Sequence, residues 1–328
     1  MSIRCTLSYP NMLHQPAPHI CSSPRMFIHF PAAVAVFASL AASVGAAPLL
    51  EPRQGGVTVL QSHEISKFKT YTYFASAAYC QPATTLTWSC GTNCEGTPGF
   101  TPVANGGDGE AIQFWFVGYD SLLESVIVAH QGTDTSKLTS ILVSADIGLD
   151  GLDPKLFPGL SEDIQVHSGF ADAHARAAPA ILEAVEKTMQ EFSTNRVTLV
   201  GHSLGGALAL LDAVYLPLHL PLDTRFKTVT YGMPRVGNPA FADYVDKNVA
   251  SLTRINYKKD IVTILPGRFL GFRHTSGEVH IRDSDSAWVS CPGQDSTAPG
   301  CTIDEVPNIF NSNSGDHFGP FDGVMLRC

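Results

Sequence analysis

One serine in the sequence has the neighbours that a catalytic nucleophile needs. Ser203 lies in the segment GHSLG, which matches the G-x-S-x-G pattern through Gly201 and Gly205. In that pattern the serine occupies a sharp turn between a strand and a helix, which presents its hydroxyl at the N-terminus of the helix. Because crowding at such a turn excludes larger side chains, the paired glycines favour it over an ordinary strand-to-helix connection. Ser203 is therefore predicted to be a nucleophile.

A serine nucleophile needs an acid and a base, which follow it in that order in α/β-hydrolases. Asp260 fits the acid because it follows the predicted strand LTRINY, at the sheet edge where the GHSLG turn also lies. Asp212 falls in a predicted helix and is interpreted as exposed to solvent. His280 alternates within the apparent strand EVHI and is interpreted as structural. For the base, position favours His317 in a late loop, and His274 stays open as the alternative.

The elements around these residues alternate between strands and helices. Apolar, β-branched or aromatic runs predict strands at residues 111–119, 125–132, 196–200, 226–232 and 252–257. Helical spacing of apolar residues predicts helices at residues 64–80, 169–192 and 201–216. The alternation predicts an α/β fold with a mainly parallel sheet covered by helices.

The first 47 residues are predicted to direct export and then to be removed. Residues 30–47 form a short apolar run that ends in small residues, and such an ending is typical of signal-peptidase sites. The run is short and rich in alanine compared with a membrane span of about 20 residues, although a signal anchor is the alternative. Residues 55–328 contain no internal repeat or Gly/Ser linker, so we expect residues 48–328 to form one catalytic domain of a secreted protein.

Charge and cysteine content fit an exported protein. The formal net charge of −9 argues against a nucleic-acid partner and against steering toward anionic membranes. Outside the export segment six cysteines remain, an even number that predicts three disulfides. Short spacings favour the pairs Cys90–Cys94 and Cys291–Cys301, which leaves Cys80 to pair with Cys328. A zinc site is the alternative, but the unequal spacings and the lack of nearby histidine pairs argue against it.

Several segments together resemble one known family. The similarity to fungal class 3 lipases, a family that includes type A feruloyl esterases, covers residues 64–328 and rests on four segments in the family's order: VTLVGHSLGGALA, YGMPRVGNPAFADYV, INYKKDIVTILP and FRHTSGEVHI. The resemblance implies an α/β-hydrolase fold and the three disulfides above. It also implies a triad of Ser203, Asp260 and His317, with His274 in a non-catalytic loop.

The resemblance further implies where the oxyanion of an acyl-transfer intermediate would bind. The family has its first oxyanion donor after a strand, in an Arg-Gly-Ser/Thr-like motif that reads HQGT here, at residues 130–133. Thr133 is expected to supply its backbone N–H and Leu204 the second N–H. Gln131 stands where many members have arginine. Because the donors are backbone groups, this departure concerns local packing more than chemistry.

The segment that follows Thr133 predicts a lid. In the resembling lipases a lid helix follows the first oxyanion residue, and residues 133–146 here carry Leu138, Ile141 and Leu142 at i, i+3 and i+4. This apolar face is expected to cover the site in water and to turn toward lipid at an oil surface. Burial of three such side chains is worth roughly 5–9 kcal/mol. A plain amphipathic surface helix is the alternative.

Taken with the triad, the lid favours a triacylglycerol lipase that works through an acyl-enzyme at an oil–water interface. No metal or organic cofactor and no stable membrane insertion are expected. A feruloyl esterase or a general carboxylesterase is the alternative among enzymes. A non-catalytic lipid-binding relative is the alternative from a different class, and the complete triad argues against it.

Overall fold

The structure is a computed structural model that describes residues 56–133, 135–143 and 148–328. The predicted export segment, residues 1–47, lies outside the described residues. In chain order the strands are β1 (Thr58–Val59), β2 (Phe100–Gly106), β3 (Trp115–Asp120), β4 (Ser125–His130), β5 (Leu149–Gly151), β6 (Gln165–His167), β7 (Arg196–His202), β8 (Arg225–Tyr231), β9 (Leu252–Tyr257), β10 (Glu278–Ile281) and β11 (Trp288–Ser290).

Helices and short turns of 3₁₀ helix connect these strands. The helices are α1 (Ser62–Ile65), α2 (Lys69–Ala77), α3 (Pro82–Leu86), α4 (Thr92–Glu95), α5 (Thr135–Val143), α6 (Ser168–Phe192), α7 (Leu204–Tyr215), α8 (Pro239–Asn248) and α9 (Thr302–Glu305). The 3₁₀ turns are Ser66–Phe68, Leu216–Leu218, Val262–Ile264, Arg268–Leu270, Ile309–Asn311 and Ser314–Phe318.

Most of the strands form a single sheet in the order β1-β11-β10-β9-β8-β7-β4-β3-β2. The strands from β4 through β7, β8 and β9 to β10 are parallel to one another, whereas the strands at both edges pair antiparallel. Strands β5 and β6 form a separate antiparallel pair. This mainly parallel sheet confirms the predicted α/β architecture.

The sheet is buried on both faces, as the alternation along β4 illustrates. Val126 and Val128 point into a cluster with the apolar sides of α6 and α7, while Ile127 and Ala129 point into a second cluster with α2. Successive strand residues face opposite sides, so two layers of helices can cover one sheet. Helix α6 contributes the buried Ile181 to the first cluster, on the face that its apolar spacing predicts.

Several short observed elements were not predicted, and two differences from the predicted elements lie in or beside the layer that faces α2. Strand β2 was not predicted, because its residues FTPVANG lack an apolar run and most of them are half-exposed at the sheet edge. The predicted helix at residues 64–80 is broken by a 3₁₀ turn and ends at Ala77. Beyond Ala77 the chain leaves the helix. Tyr79 there contacts His202, the residue before Ser203, and Cys80 is bonded to Cys328.

Candidate active site

Ser203 occupies a tight turn between the last residue of β7 and the first residue of α7. Its φ of 61° lies in the left-handed region, which a non-glycine residue adopts at a cost of about 1–3 kcal/mol. A Cβ on Gly201 would overlap the carbonyl of Gly205, and one on Gly205 would overlap the carbonyl of His130. The GHSLG turn therefore needs both glycines for steric reasons, as the sequence predicts.

The structure brings Ser203, His317 and Asp260 together in one hydrogen-bonded row. Nε2 of His317 lies 2.7 Å from Oγ of Ser203, and Nδ1 of His317 lies 2.8 Å from Oδ2 of Asp260. The other carboxylate oxygen of Asp260 accepts a 2.9 Å hydrogen bond from the N–H of Val262. All three side chains are 0% exposed. In this arrangement Nδ1–H donates to the carboxylate, and Nε2 is the acceptor for the serine proton.

Two loops at the carboxyl ends of the strands hold the acid and the base. Asp260 follows β9, and His317 lies in the 3₁₀ turn Ser314–Phe318. The main chain of Lys259 joins the loops: its N–H donates to the Asp316 carboxylate at 3.1 Å, and its carbonyl accepts from Asn313 at 2.6 Å. Residues that are distant in sequence thereby reach hydrogen-bonding distance.

Gly232, directly after β8, is a site residue that sequence reasoning did not single out. Its φ is +52°, and a Cβ there would lie 2.8 Å from Oδ2 of Asp260 and 3.1 Å from the His317 ring. A side chain at this position would push the acid and the base apart. One signal in the sequence could have found it: Gly232 stands at the carboxyl end of a predicted parallel strand, where sites in such sheets form.

Leu204 directly follows Ser203 in the chain, and Gly132, the residue before Thr133, packs against the serine. A Cβ on Gly132 would lie 2.8 Å from Cβ of Ser203, so Thr133, the next residue, starts within the same crowded region. Leu204 is the first residue of α7, where N–H groups have no intrahelical partner and the helix dipole is positive. The N–H of Leu204 therefore suits the stabilisation of negative charge that develops near Oγ of Ser203, whereas the same role for Thr133 stays a prediction.

Gln131 holds the strand end that leads into this turn. Its side-chain Oε1 accepts a 3.0 Å hydrogen bond from the N–H of Phe114, and its own N–H donates to the Phe114 carbonyl at 2.8 Å. The glutamine thus binds the neighbouring main chain rather than Ser203.

Helix α5 lies against the 3₁₀ turn Val262–Ile264, which follows Asp260. Leu138 and Leu142 are 1% and 0% exposed, and they pack in the same cluster as Leu204 and Val262, which flank the serine and the aspartate. Lys137 lies on the exposed side of the helix. The side chain of Ile141, the third predicted lid residue, lies outside the described side chains. The apolar face of α5 is therefore turned inward.

The remaining candidate histidines lie apart from Ser203. His274 donates from Nε2 to the carbonyl of Thr263 at 2.8 Å, and burial together with the charge of Arg254 lowers its pKa well below the usual value. His280 is bonded to Glu305 at 3.1 Å. Both are buried, which agrees with a structural role for His280 and a non-catalytic loop for His274.

The six cysteines of residues 48–328 form the three predicted pairs: Cys80–Cys328, Cys90–Cys94 and Cys291–Cys301. Among the described residues, Glu278 with Cys291 and Cys301 is the cluster with metal-ligand spacing. Because both of its cysteines are disulfide-bonded, that cluster offers no thiolate. Within the described part of the chain, no helix is long and apolar enough to cross a membrane.

The sequence matches a family model and is similar to individual secreted lipases. The model of the family "Lipase (class 3)" matches residues 127–270. A secreted mono- and diacylglycerol lipase of Malassezia globosa is 34% identical over 233 residues, which cover 67% of this chain and 76% of that protein. A secreted mono- and diacylglycerol lipase of Malassezia restricta is 32% identical over 198 residues, or 60% of this chain. The chain spans 61% of the length of that relative.

Solved structures show the same similarity in three dimensions. Lipase II from Rhizopus niveus superposes with a TM-score of 0.70 at 26% identity, over 82% of this chain and 98% of that one. A structure described as a triacylglycerol lipase whose catalytic centre is a serine protease triad superposes with a TM-score of 0.69 at 25% identity. That match covers 83% of this chain and 98% of the other.

Proposed function

Because this chain belongs to the class 3 lipase family, we propose that it is a secreted carboxylic ester hydrolase that cleaves acylglycerols. The observation that carries the proposal is the row of Ser203, His317 and Asp260, which is complete in its hydrogen bonds and fully buried. Export agrees with the three disulfides and with the secreted relatives from Malassezia. We further propose that residues 48–328 form the catalytic domain.

The reaction begins when His317 removes the proton from Ser203 and Oγ attacks the ester carbonyl carbon. Asp260 accepts the Nδ1–H hydrogen bond, which keeps the imidazole in the required tautomer and stabilises it once it is charged. Backbone N–H groups of Thr133 and Leu204 bind the oxygen that becomes negative. Each such donor is typically worth about 2.7–4 kcal/mol.

The tetrahedral intermediate collapses when the charged His317 gives its proton to the departing glycerol oxygen. An acyl group then remains on Oγ of Ser203. Water enters, His317 takes one of its protons, and the resulting hydroxyl attacks the acyl carbon. The second collapse releases the fatty acid and returns Ser203 to its starting form, so each cycle consumes one ester bond and one water.

Access to Ser203 requires movement of α5, since the serine is 0% exposed in the closed arrangement. Turning the helix outward would expose Leu138 and Leu142, at a cost of roughly 3–6 kcal/mol in water. Contact with an oil phase removes that cost because the leucines then leave one apolar environment for another. We therefore propose that the enzyme acts at an oil–water interface and that triacylglycerols are its substrates. Its Malassezia relatives are named as mono- and diacylglycerol lipases, so these partial acylglycerols are the second class of substrate to test.

Hydrolysis measured through the solubility limit of a short-chain triacylglycerol tests this proposal. We expect the rate of acid release to rise abruptly once an oil phase forms, and emulsified long-chain tri-, di- and monoacylglycerols then rank the substrates. The Ser203→Ala variant should keep its thermal unfolding temperature and lose the activity. Good turnover of methyl ferulate with none on the emulsions would instead identify an esterase and contradict the lid assignment.

A further inference from the structure

His202, the residue before the nucleophile, is fully buried and makes hydrogen bonds with both ring nitrogens. Its Nε2 lies 2.8 Å from the main-chain oxygen of His317, and because a carbonyl only accepts, Nε2 carries the proton. Nδ1 is then an acceptor, so the Tyr79 hydroxyl, 2.5 Å away, donates to it. Burial lowers the pKa of His202 well below its usual value, and the nearby His317 lowers it further, which keeps His202 neutral.

The same Tyr79 hydroxyl lies against the oxyanion turn, residues 131–133, which ends in the predicted oxyanion donor Thr133. A Cβ on Gly132 would overlap the hydroxyl oxygen, so the main chain of Gly132 packs directly against that oxygen. Burial raises the pKa of Tyr79, so its hydroxyl keeps the proton that it donates to His202. One hydroxyl therefore contacts the segment that ends in Thr133 and, through His202, the main chain of the residue that carries the base.

Tyr79 is itself held by contacts outside the reacting groups. It directly precedes Cys80, which is bonded to Cys328 at the end of the chain. Its ring also meets the ring of Phe318 edge to face, with centroids 6.3 Å apart. The position of the hydroxyl is thus set by a covalent link and by packing. It contacts neither Oγ of Ser203 nor the carboxylate of Asp260 in the described hydrogen bonds.

We propose that Tyr79 is a positioning residue that fixes the oxyanion turn relative to the nucleophile through its hydroxyl, an inference that rests on the proposed function. Oxyanion donors accelerate a reaction when they are fixed before charge develops, since no reorganisation is then needed. Without the hydroxyl, Nδ1 of His202 loses its hydrogen-bond donor and Gly132 loses the oxygen that packs against it, so the turn can shift. A displacement of about 1 Å in such a group can lower a rate by about 100-fold.

The Tyr79→Phe variant removes the hydroxyl and keeps the ring. On a soluble short-chain ester we expect kcat to fall about 10- to 100-fold with KM changed by less than about twofold, because the lost interaction acts in the transition state. Affinity for a trifluoromethyl ketone, which forms a tetrahedral adduct with a serine, should fall in proportion. Affinity for a non-hydrolysable ether analogue of the substrate should stay unchanged.

Tyr231→Phe is the matched control, because the Tyr231 hydroxyl is also buried and bonded, to Thr72 at 3.0 Å and to the carbonyl of Phe68 at 3.1 Å. It should lower the thermal unfolding temperature as Tyr79→Phe does and leave the kcat and ketone affinity within about twofold of the wild type. The two variants together separate loss of a buried hydrogen bond from loss of positioning.

Three results would overturn the inference while the proposed function stands, provided that Ser203→Ala is inactive. In the first, Tyr79→Phe keeps the wild-type kcat and the wild-type affinity for the ketone. In the second, Tyr79→Phe lowers the affinities for the ketone and for the ether analogue equally. In the third, Tyr231→Phe lowers kcat and ketone affinity as much as Tyr79→Phe does. Should Tyr79→Phe fail to fold, His202→Asn breaks the same connection and must show the same difference between the two inhibitors. Activity that persists in Ser203→Ala would instead reject the proposed function itself.

Discussion

Among individual residues, two buried aspartates accept hydrogen bonds from histidines, and their surroundings give them different roles. Asp260 binds His317, whose other nitrogen faces Ser203. Asp212, in α7, binds Nε2 of His130 at 2.6 Å and Nε2 of His174 at 2.8 Å. The sequence-based interpretation of Asp212 as solvent-exposed was wrong, because its two partners come from β4 and α6 and local spacing does not reveal them.

The role proposed for Asp260 predicts that Asp260→Asn lowers kcat by about 10⁴-fold with little loss of fold stability. An amide in place of the carboxylate favours the wrong imidazole tautomer and no longer stabilises the charged ring. Steady-state kinetics on a soluble ester measure the change, and Asp304→Asn, an exposed carboxylate that binds the main chain of Gly300, serves as the control. Equal losses in both variants would contradict the assignment.

The two histidines around Asp212 predict a loss of stability in acid. Burial alone would raise the pKa of Asp212, but the charges and hydrogen bonds of His130 and His174 outweigh it and lower the pKa to about 2, from 3.8. Since the folded pKa lies below the unfolded one, the stabilisation is present above about pH 4 and is lost as the pH falls toward 2. It amounts to about 2 kcal/mol.

Urea unfolding measured between about pH 5 and pH 2 checks this expectation. The free energy of unfolding of the wild type should decrease more steeply over that interval than that of Asp212→Asn, which lacks the titrating carboxylate. Parallel decreases in the two proteins would show that other carboxyl groups cause the acid sensitivity.

At the scale of elements, helix α5 is the proposed lid, and its buried leucines are the apolar surface that opening would present. Leu138→Ser is expected to weaken the closed arrangement by about 1.5–3 kcal/mol, because less apolar area is then buried. Activity on a dissolved ester below its solubility limit should therefore rise about tenfold or more, and the jump at the oil phase should shrink.

The same kinetic titration through the solubility limit measures both effects. Leu122→Ser is the control, since it makes the same exchange at a position that is 74% exposed. A Leu138→Ser protein that folds and keeps the wild-type jump would show that α5 does not gate the site.

The elements also show what the sequence could predict. The strand before Ser203 and the helix after it follow from a buried run and from two glycines that the turn requires sterically, so local sequence determines them. Gly232 and Tyr79 were missed because their importance depends on contacts with Asp260 and Gly132, which arise only after distant segments pack. Strand β2 was missed because an edge strand with half-exposed residues has no apolar pattern.

At the scale of the whole molecule, the C-terminal segment is fastened to α2 and its neighbours. The Ser76 hydroxyl lies 2.9 Å from the carbonyl of Met325 and 2.8 Å from that of Arg327, to which Asn93 also donates at 2.9 Å. The Cys80–Cys328 disulfide makes the connection covalent. The described chain thus closes on itself beside the loop that carries His317.

This closure predicts unequal stabilities for two disulfide deletions. Cys80–Cys328 spans a sequence separation of 248 and Cys90–Cys94 one of 4. Because a cross-link restricts the unfolded chain more when its loop is longer, replacing the first pair by alanines should cost about 5 kcal/mol and the second about 2 kcal/mol. The free energy of unfolding in urea at neutral pH measures both. Equal losses would mean that native-state contacts, rather than the unfolded chain, determine what these bridges contribute.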